Sequence, residues 1–117
     1  MIIEFETAIL ADEAGYNEYL NRGHSYAVDG RLMGKDYTEN VQSLHSKYYK
    51  APRQSQLHEW LRNEHGLYIS VYPLESGWAV DVRPCNQPAP SLTPTYESFD
   101  EFEYALEHGL KKALKLI

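Results

Sequence analysis

The stretch Ser98-Phe99-Asp100-Glu101-Phe102-Glu103-Tyr104-Ala105-Leu106-Glu107-His108-Gly109-Leu110-Lys111-Lys112-Ala113-Leu114-Lys115-Leu116-Ile117 decides how this chain is read. Phe99, Phe102, Leu106, Leu110, Ala113, Leu114 and Ile117 recur every three or four positions, which places them on one stripe of a helix. Ser98 with Glu101 three residues on has the spacing of a capping box. Acids crowd the first turn (Asp100, Glu101, Glu103) and lysines the last (Lys111, Lys112, Lys115), matching the helix dipole at both ends. Gly109 costs a helix about 1 kcal/mol relative to alanine, so its presence predicts a close packing contact. A rod with one apolar side needs a partner layer, and the rest of the chain must supply it.

Upstream, Leu67-Tyr68-Ile69-Ser70-Val71-Tyr72 is rich in β-branched and aromatic residues, which fit a pleated, half-buried surface. Glu75-Ser76-Gly77 turns the chain. Trp78-Ala79-Val80-Asp81-Val82-Arg83 then alternates, with Trp78, Val80 and Val82 on one face and Asp81 and Arg83 on the other. An antiparallel strand pair follows. Before it, Pro52 suits a first helical position and a helix is predicted from about Arg53 to His65. Leu57, Trp60, Leu61 and Glu64 share one face, with only Glu64 polar, and Gly66 stands at the C′ position.

Nearer the start, Phe5 to Ala14 reads as a helix stopped by Gly15, although Asp12 interrupts its apolar face. Tyr16 to Arg22 is ambiguous. His24 to Val28, the Asp29-Gly30 pair and Arg31-Leu32-Met33 form a hairpin pattern, because Asp-Gly favours the left-handed backbone of a tight turn. Tyr37 to Tyr49 carries Val41, Leu44 and Tyr48 at helical spacing. Pro84 to Pro94 is a proline-rich exposed loop, and Thr95-Tyr96-Glu97 supplies a short edge strand. The expected fold is therefore α+β: a single domain over residues 1–117, with a short antiparallel sheet, helices packed on one face and the amphipathic helix at the C-terminal end. Trp60, Trp78, Val80, Val82, Phe102, Leu106 and Leu110 are the expected core.

Composition narrows the function classes. At 117 residues with 43% hydrophobic and 24% charged residues, the chain has ordinary globular usage and can bury one core. No apolar run approaches the roughly 20 residues needed to cross a bilayer, so no membrane partner is expected. The opening residues Met1-Ile2-Ile3-Glu4-Phe5-Glu6 carry acids where a secretory signal would be basic, and Cys85 is the single cysteine. A cytoplasmic location is expected. The net charge of −6 weighs against a dedicated nucleic-acid binder, whereas ten tyrosines invite an interaction face.

Three stretches together are distinctive: Phe5-Glu6-Thr7-Ala8 with Leu10-Ala11; then Tyr49-x-Ala51-Pro52-x-Gln54-x-x-Leu57-x-x-Trp60-Leu61-Arg62-x-x-His65; and Ala105-Leu106-Glu107-x-Gly109-Leu110-x-x-Ala113-Leu114-Lys115-Leu116-Ile117. They resemble a group of small uncharacterised proteins of gut Bacteroides-type bacteria, often encoded in phage-like or mobile genome regions. The likeness spans most of the chain, with Gly23 to Lys47 and the proline loop matching poorly. It implies a bacterial cytoplasmic accessory protein and assigns a role to no residue.

Candidate chemistry is sparse. His58 and His65 lie seven apart on one predicted helix, whereas helical zinc pairs sit three or four apart so that both nitrogens reach one ion; no metal site is expected. Cys85, between Pro84 and Asn86, has no helix N-terminus or adjacent base to make it a nucleophile. There is no Gly-rich phosphate loop and no Ser-centred elbow, so neither a cofactor nor a catalytic residue is expected. The basic-aromatic segment Lys47, Tyr48, Tyr49, Lys50 and Arg53, joined by Arg62, is the patch that invites a partner. These residues read first as the contact surface of a non-enzymatic interaction or regulatory protein, with a protein partner or a second copy of the chain. The alternative is single-stranded nucleic acid stacked on the tyrosines between cations.

Overall fold

A computed structural model describes residues 1–18, 23–33, 48–85 and 97–117. The fold is α+β, and the chain divides into two compact units, Ile2–Arg53 and Gln54–Ile117 with Met1.

In the N-terminal unit, helix α1 (Phe5–Glu13) buries Thr7, Ala8 and Ala11. It ends as expected before Gly15, whose φ of 95° only glycine adopts freely. Tyr16 follows, donating its N–H to the Ala11 carbonyl and burying its ring to 5% exposure, which pushes the phenol up to about 12. Strands β1 (His24–Ala27), β2 (Leu32–Met33) and β3 (Tyr48–Ala51) form an antiparallel sheet in the order β2-β1-β3. The expected hairpin is present. Gly30 sits at φ 90°, and the Asp29 carboxylate accepts from the Arg31 N–H at 3.1 Å.

Strand β3 corrects one expectation. Most of the helix predicted from Tyr37 to Tyr49 lies outside the described residues, but its end, Tyr48 and Tyr49, is strand. Tyr26 pairs with Tyr49 across β1 and β3, and the Phe5 ring of α1 lies 5.5 Å from Tyr26 and 6.0 Å from Tyr49. Aromatic cross-strand packing thus overrides the helical spacing. The Tyr26 hydroxyl donates to the Ile3 carbonyl at 2.7 Å, and Ile2 bridges to Arg53.

In the C-terminal unit, helix α2 (Gln54–His65) buries Gln54, Leu57, Trp60 and Leu61 and is closed by Gly66 at φ 62°. Pro52 does not occupy its first turn: the helix begins at Gln54, and the Pro52 carbonyl accepts from the Ile3 N–H within the N-terminal unit. Strands β4 (Leu67–Leu74) and β5 (Gly77–Pro84) form the expected antiparallel pair, with Leu74 opposite Gly77 around Glu75-Ser76. Helix α3 (Phe102–Lys115) lies on the face carrying Ile69 and Val80. A Cβ on Gly109 would stand 2.6 Å from a methyl of each, so the predicted close approach is real. Residues 95 and 96 of the expected edge strand lie outside the described residues, and Glu97 is not strand.

The start of α3 also departs from expectation. The Ser98–Glu101 capping box does not form; Glu101 is the N-cap residue and makes no side-chain capping bond. The reason is backbone pairing upstream, where Phe99 and Trp78 exchange N–H···O bonds of 2.8 Å and hold residue 99 extended. With the helix starting later, Ala105, Glu107, Gly109, Leu110, Ala113 and Leu114 are buried, whereas Ile117 and Phe102 are exposed, Phe102 at 41%. Of the expected core, Trp60, Val80, Val82 and Leu110 are buried, and Trp78 and Leu106 are half-buried.

Candidate functional site

The basic-aromatic residues singled out in the sequence fall on both units. Tyr48, Tyr49 and Lys50 belong to β3, Arg53 ends the N-terminal unit, and Arg62 stands half-buried on α2 of the C-terminal unit; Lys47 lies outside the described residues. Strand alternation sends Tyr48 and Lys50 to one face and Tyr49 with buried Ala51 to the other, where Tyr49 packs on Phe5. The Lys50 ammonium donates to the carbonyl oxygens of Asn17 and Glu18, at 2.7 Å each. It serves as a tie across the loop after α1. Two of its three N–H donors are thereby committed to backbone carbonyls.

The described tyrosines divide by unit. In the N-terminal unit Tyr16 is buried and Tyr26, Tyr48 and Tyr49 are half-buried. In the C-terminal unit Tyr68, Tyr72 and Tyr104 are all exposed. Tyr68 and Tyr72 share the face of β4 turned away from α3, and Leu74 continues their row at 45% exposure. On the same face of β5, Ala79 opposite Tyr72 and Asp81 opposite Ser70 are buried, and Asp81 accepts from Arg83, which stands opposite Tyr68, at 2.9 Å. Alternation within the strand read at 67–72 puts 68 and 72 on one face, but nothing in the residue types announced that these side chains meet water, and Leu74 lay beyond the strand as read.

The outer edge of β4 is blunted against strand addition. The Ile69 N–H, which points away from β5, donates to Nε2 of His58 at 3.0 Å, and Pro73 further along has no N–H to offer. His58 must therefore carry its proton on Nδ1. Burial, with help from the nearby Arg62 charge, holds its pKa down to about 4. This is the job of one histidine of the considered metal pair. The other, His65, is exposed and packs edge-on against Trp60 at 4.8 Å. Cys85 is exposed, and its N–H donates to the Gly66 carbonyl.

Two further polar groups lie inside the C-terminal unit. Gln54 Nε2 donates to a Glu107 carboxylate oxygen and to the Glu103 carbonyl, both at 2.9 Å, tying α2 to α3 through buried side chains. Sequence reading missed this pair because Glu107 looks like an ordinary helix-surface acid. His108 packs its ring 4.9 Å from Phe99, and burial with the nearby lysines lowers its pKa. Among the described residues no His, Cys, Asp or Glu cluster could hold a metal ion, and no helix is long and apolar enough to cross a membrane. No protein-family model matches the chain, and no curated protein or solved structure is similar to it.

Proposed function

We propose that this protein is a non-enzymatic interaction or regulatory protein that engages a protein partner through its C-terminal unit. The observation that carries the reading is the exposed row Tyr68, Tyr72 and Leu74 on β4, beside an edge where the Ile69 N–H is bonded to His58 and Pro73 has none to offer. Side chains, not added backbone pairing, are what this surface offers. Tyrosine suits such a role because it contributes large contact area at little entropic cost and keeps a hydroxyl for a hydrogen bond.

The placement of Lys50 on two carbonyls and of Tyr49 on Phe5 supports the protein reading over single-stranded nucleic acid, since both would otherwise be free to grip a strand. The likeness to small proteins of Bacteroides-type bacteria supports an accessory role in a phage or mobile element. The single cysteine supports a cytoplasmic setting. The test is capture from a bacterial host lysate combined with light scattering. The native chain should retain a discrete partner or self-associate, and Tyr68→Ser with Tyr72→Ser should lose that contact without loss of fold. A strict monomer whose retained proteins are unchanged by the double substitution would defeat the reading.

A further inference from the structure

At the turn end of the β4–β5 hairpin, the face that α3 covers carries a second apolar feature. Pro73 stands opposite Trp78, and Trp78 is bridged in turn to Phe99, so three side chains form a row across the sheet. The Phe102 ring meets Trp78 edge-on at 5.3 Å. Pro73 and Phe102 are exposed, and Trp78 and Phe99 half-buried. The segments that carry these rings also carry exposed acidic residues: Glu75 in the hairpin turn between Pro73 and Trp78, Asp100 and Glu101 between the two phenylalanines, and Glu103 on the first turn of α3. Neither residues 63–82 nor residues 97–110 contain a lysine or arginine. The negative charge at this end therefore has no lysine or arginine from either segment to offset it.

The helix dipole explains part of this, because acids near the start of α3 are stabilised by its positive end. It explains neither Glu75, which belongs to another element, nor the exposure of Phe102. From the aromatic shelf and its acidic rim together we infer that this end of the C-terminal unit binds an arginine-bearing segment of a partner protein. Arginine fits better than lysine, because its planar guanidinium stacks on an aromatic face while its fork donates to carboxylates. The inference deepens the protein-interaction reading and names the chemistry of the partner, but it uses a different surface from the tyrosine row.

Calorimetric titration of the full chain with a nine-residue peptide of arginines alternating with glycine tests it, alongside lysine and glutamate versions of that peptide. The arginine peptide should bind about threefold or more tighter than the lysine one. The glutamate peptide should show no heat. Binding should weaken about tenfold between 50 and 300 mM salt, estimated from the shortened screening length. Phe102→Ala should weaken it about fivefold, the loss of one cation–π contact. Glu75→Lys with Asp100→Lys, which leaves the packing intact, should abolish it. Equal affinity for both basic peptides, indifference to either substitution, absence of binding, or tighter binding of a single-stranded oligonucleotide would each overturn the proposal. Tyr68→Ser with Tyr72→Ser separates the two readings: partner capture lost there with a flat peptide titration keeps the interaction function and removes this site, while peptide binding without any captured partner does the reverse.

Discussion

The two units use aromatic residues in opposite ways. In the N-terminal unit the Phe5 ring packs on Tyr26 and Tyr49 of the sheet and Tyr16 is buried, beside the small buried residues Thr7, Ala8 and Ala11 of α1. In the C-terminal unit the layer between helix and sheet is aliphatic: Ile69, Val80, Val82, Leu110 and Leu114, closed down on Gly109. Apart from buried Trp60, its larger rings are displaced to the rim or the outer face. A helix that approaches a sheet as closely as α3 does at Gly109 leaves no room for rings there. Aromatic residues freed from core duty are then available for recognition.

The most severe way to break this comparison is to force the close approach open. Gly109→Val should destabilise the C-terminal unit by about 3 kcal/mol, because the new methyls overlap those of Ile69 and Val80 in a packed layer. Gly109→Ala should cost less, since it regains about 1 kcal/mol of helix propensity. Thermal unfolding measures both, and a neutral Gly109→Val would show that the layer has slack. Next in size is the contrast between matched residues. Tyr49→Ala should cost about 2 kcal/mol through lost packing on Phe5, whereas Tyr72→Ala should stay within about 0.5 kcal/mol. Urea unfolding of the two variants, compared at constant slope, checks the difference. Equal losses would erase the distinction between structural and surface tyrosines.

The smallest expected effect concerns His58. The folded state keeps this imidazole neutral down to a pKa of about 4, whereas the unfolded chain takes a proton near the ordinary histidine value of 6.5. Its contribution is therefore complete above pH 6.5 and is lost as the pH falls from there through about 4. After discounting for its partial exposure, about 1 kcal/mol should disappear over that window. His58→Gln, which still offers an acceptor to the Ile69 N–H, should flatten that part of the stability curve at little cost at pH 7. His58→Ala should lose about 1 kcal/mol at neutral pH by leaving the N–H unpaired. An unchanged acid limb in His58→Gln would place the titrating group elsewhere.

Much of the framework was legible because local signals agreed. The Asp29-Gly30 turn, the Gly15 and Gly66 stops, the alternation through Trp78 to Arg83 and the reason for Gly109 all rest on backbone rules that act within a few residues. Strand β3 was hidden because Tyr48 and Tyr49 fit helical spacing as well as strand alternation, and only pairing with β1 chooses between them. The capping box failed for the same kind of reason. Ser98 and Glu101 have the right spacing, but Phe99 between them is claimed by Trp78 from another strand. Of the candidate site, the residue types at 48 to 53 and 62 were visible, but their division between two units and the engagement of Lys50 were not.

The order of residues by itself determined the α+β class, the long helices to within a few residues, the two hairpin turns and the inward Gly109, Leu110, Ala113 and Leu114 of the C-terminal helix, because those follow from periodicity and from backbone preferences at glycine and proline. Tertiary structure alone decided which tyrosines meet water, which histidine guards a strand edge and where the last helix begins. Each of those depends on which distant group competes for the same backbone bond or the same volume, and such competition has no trace in local spacing.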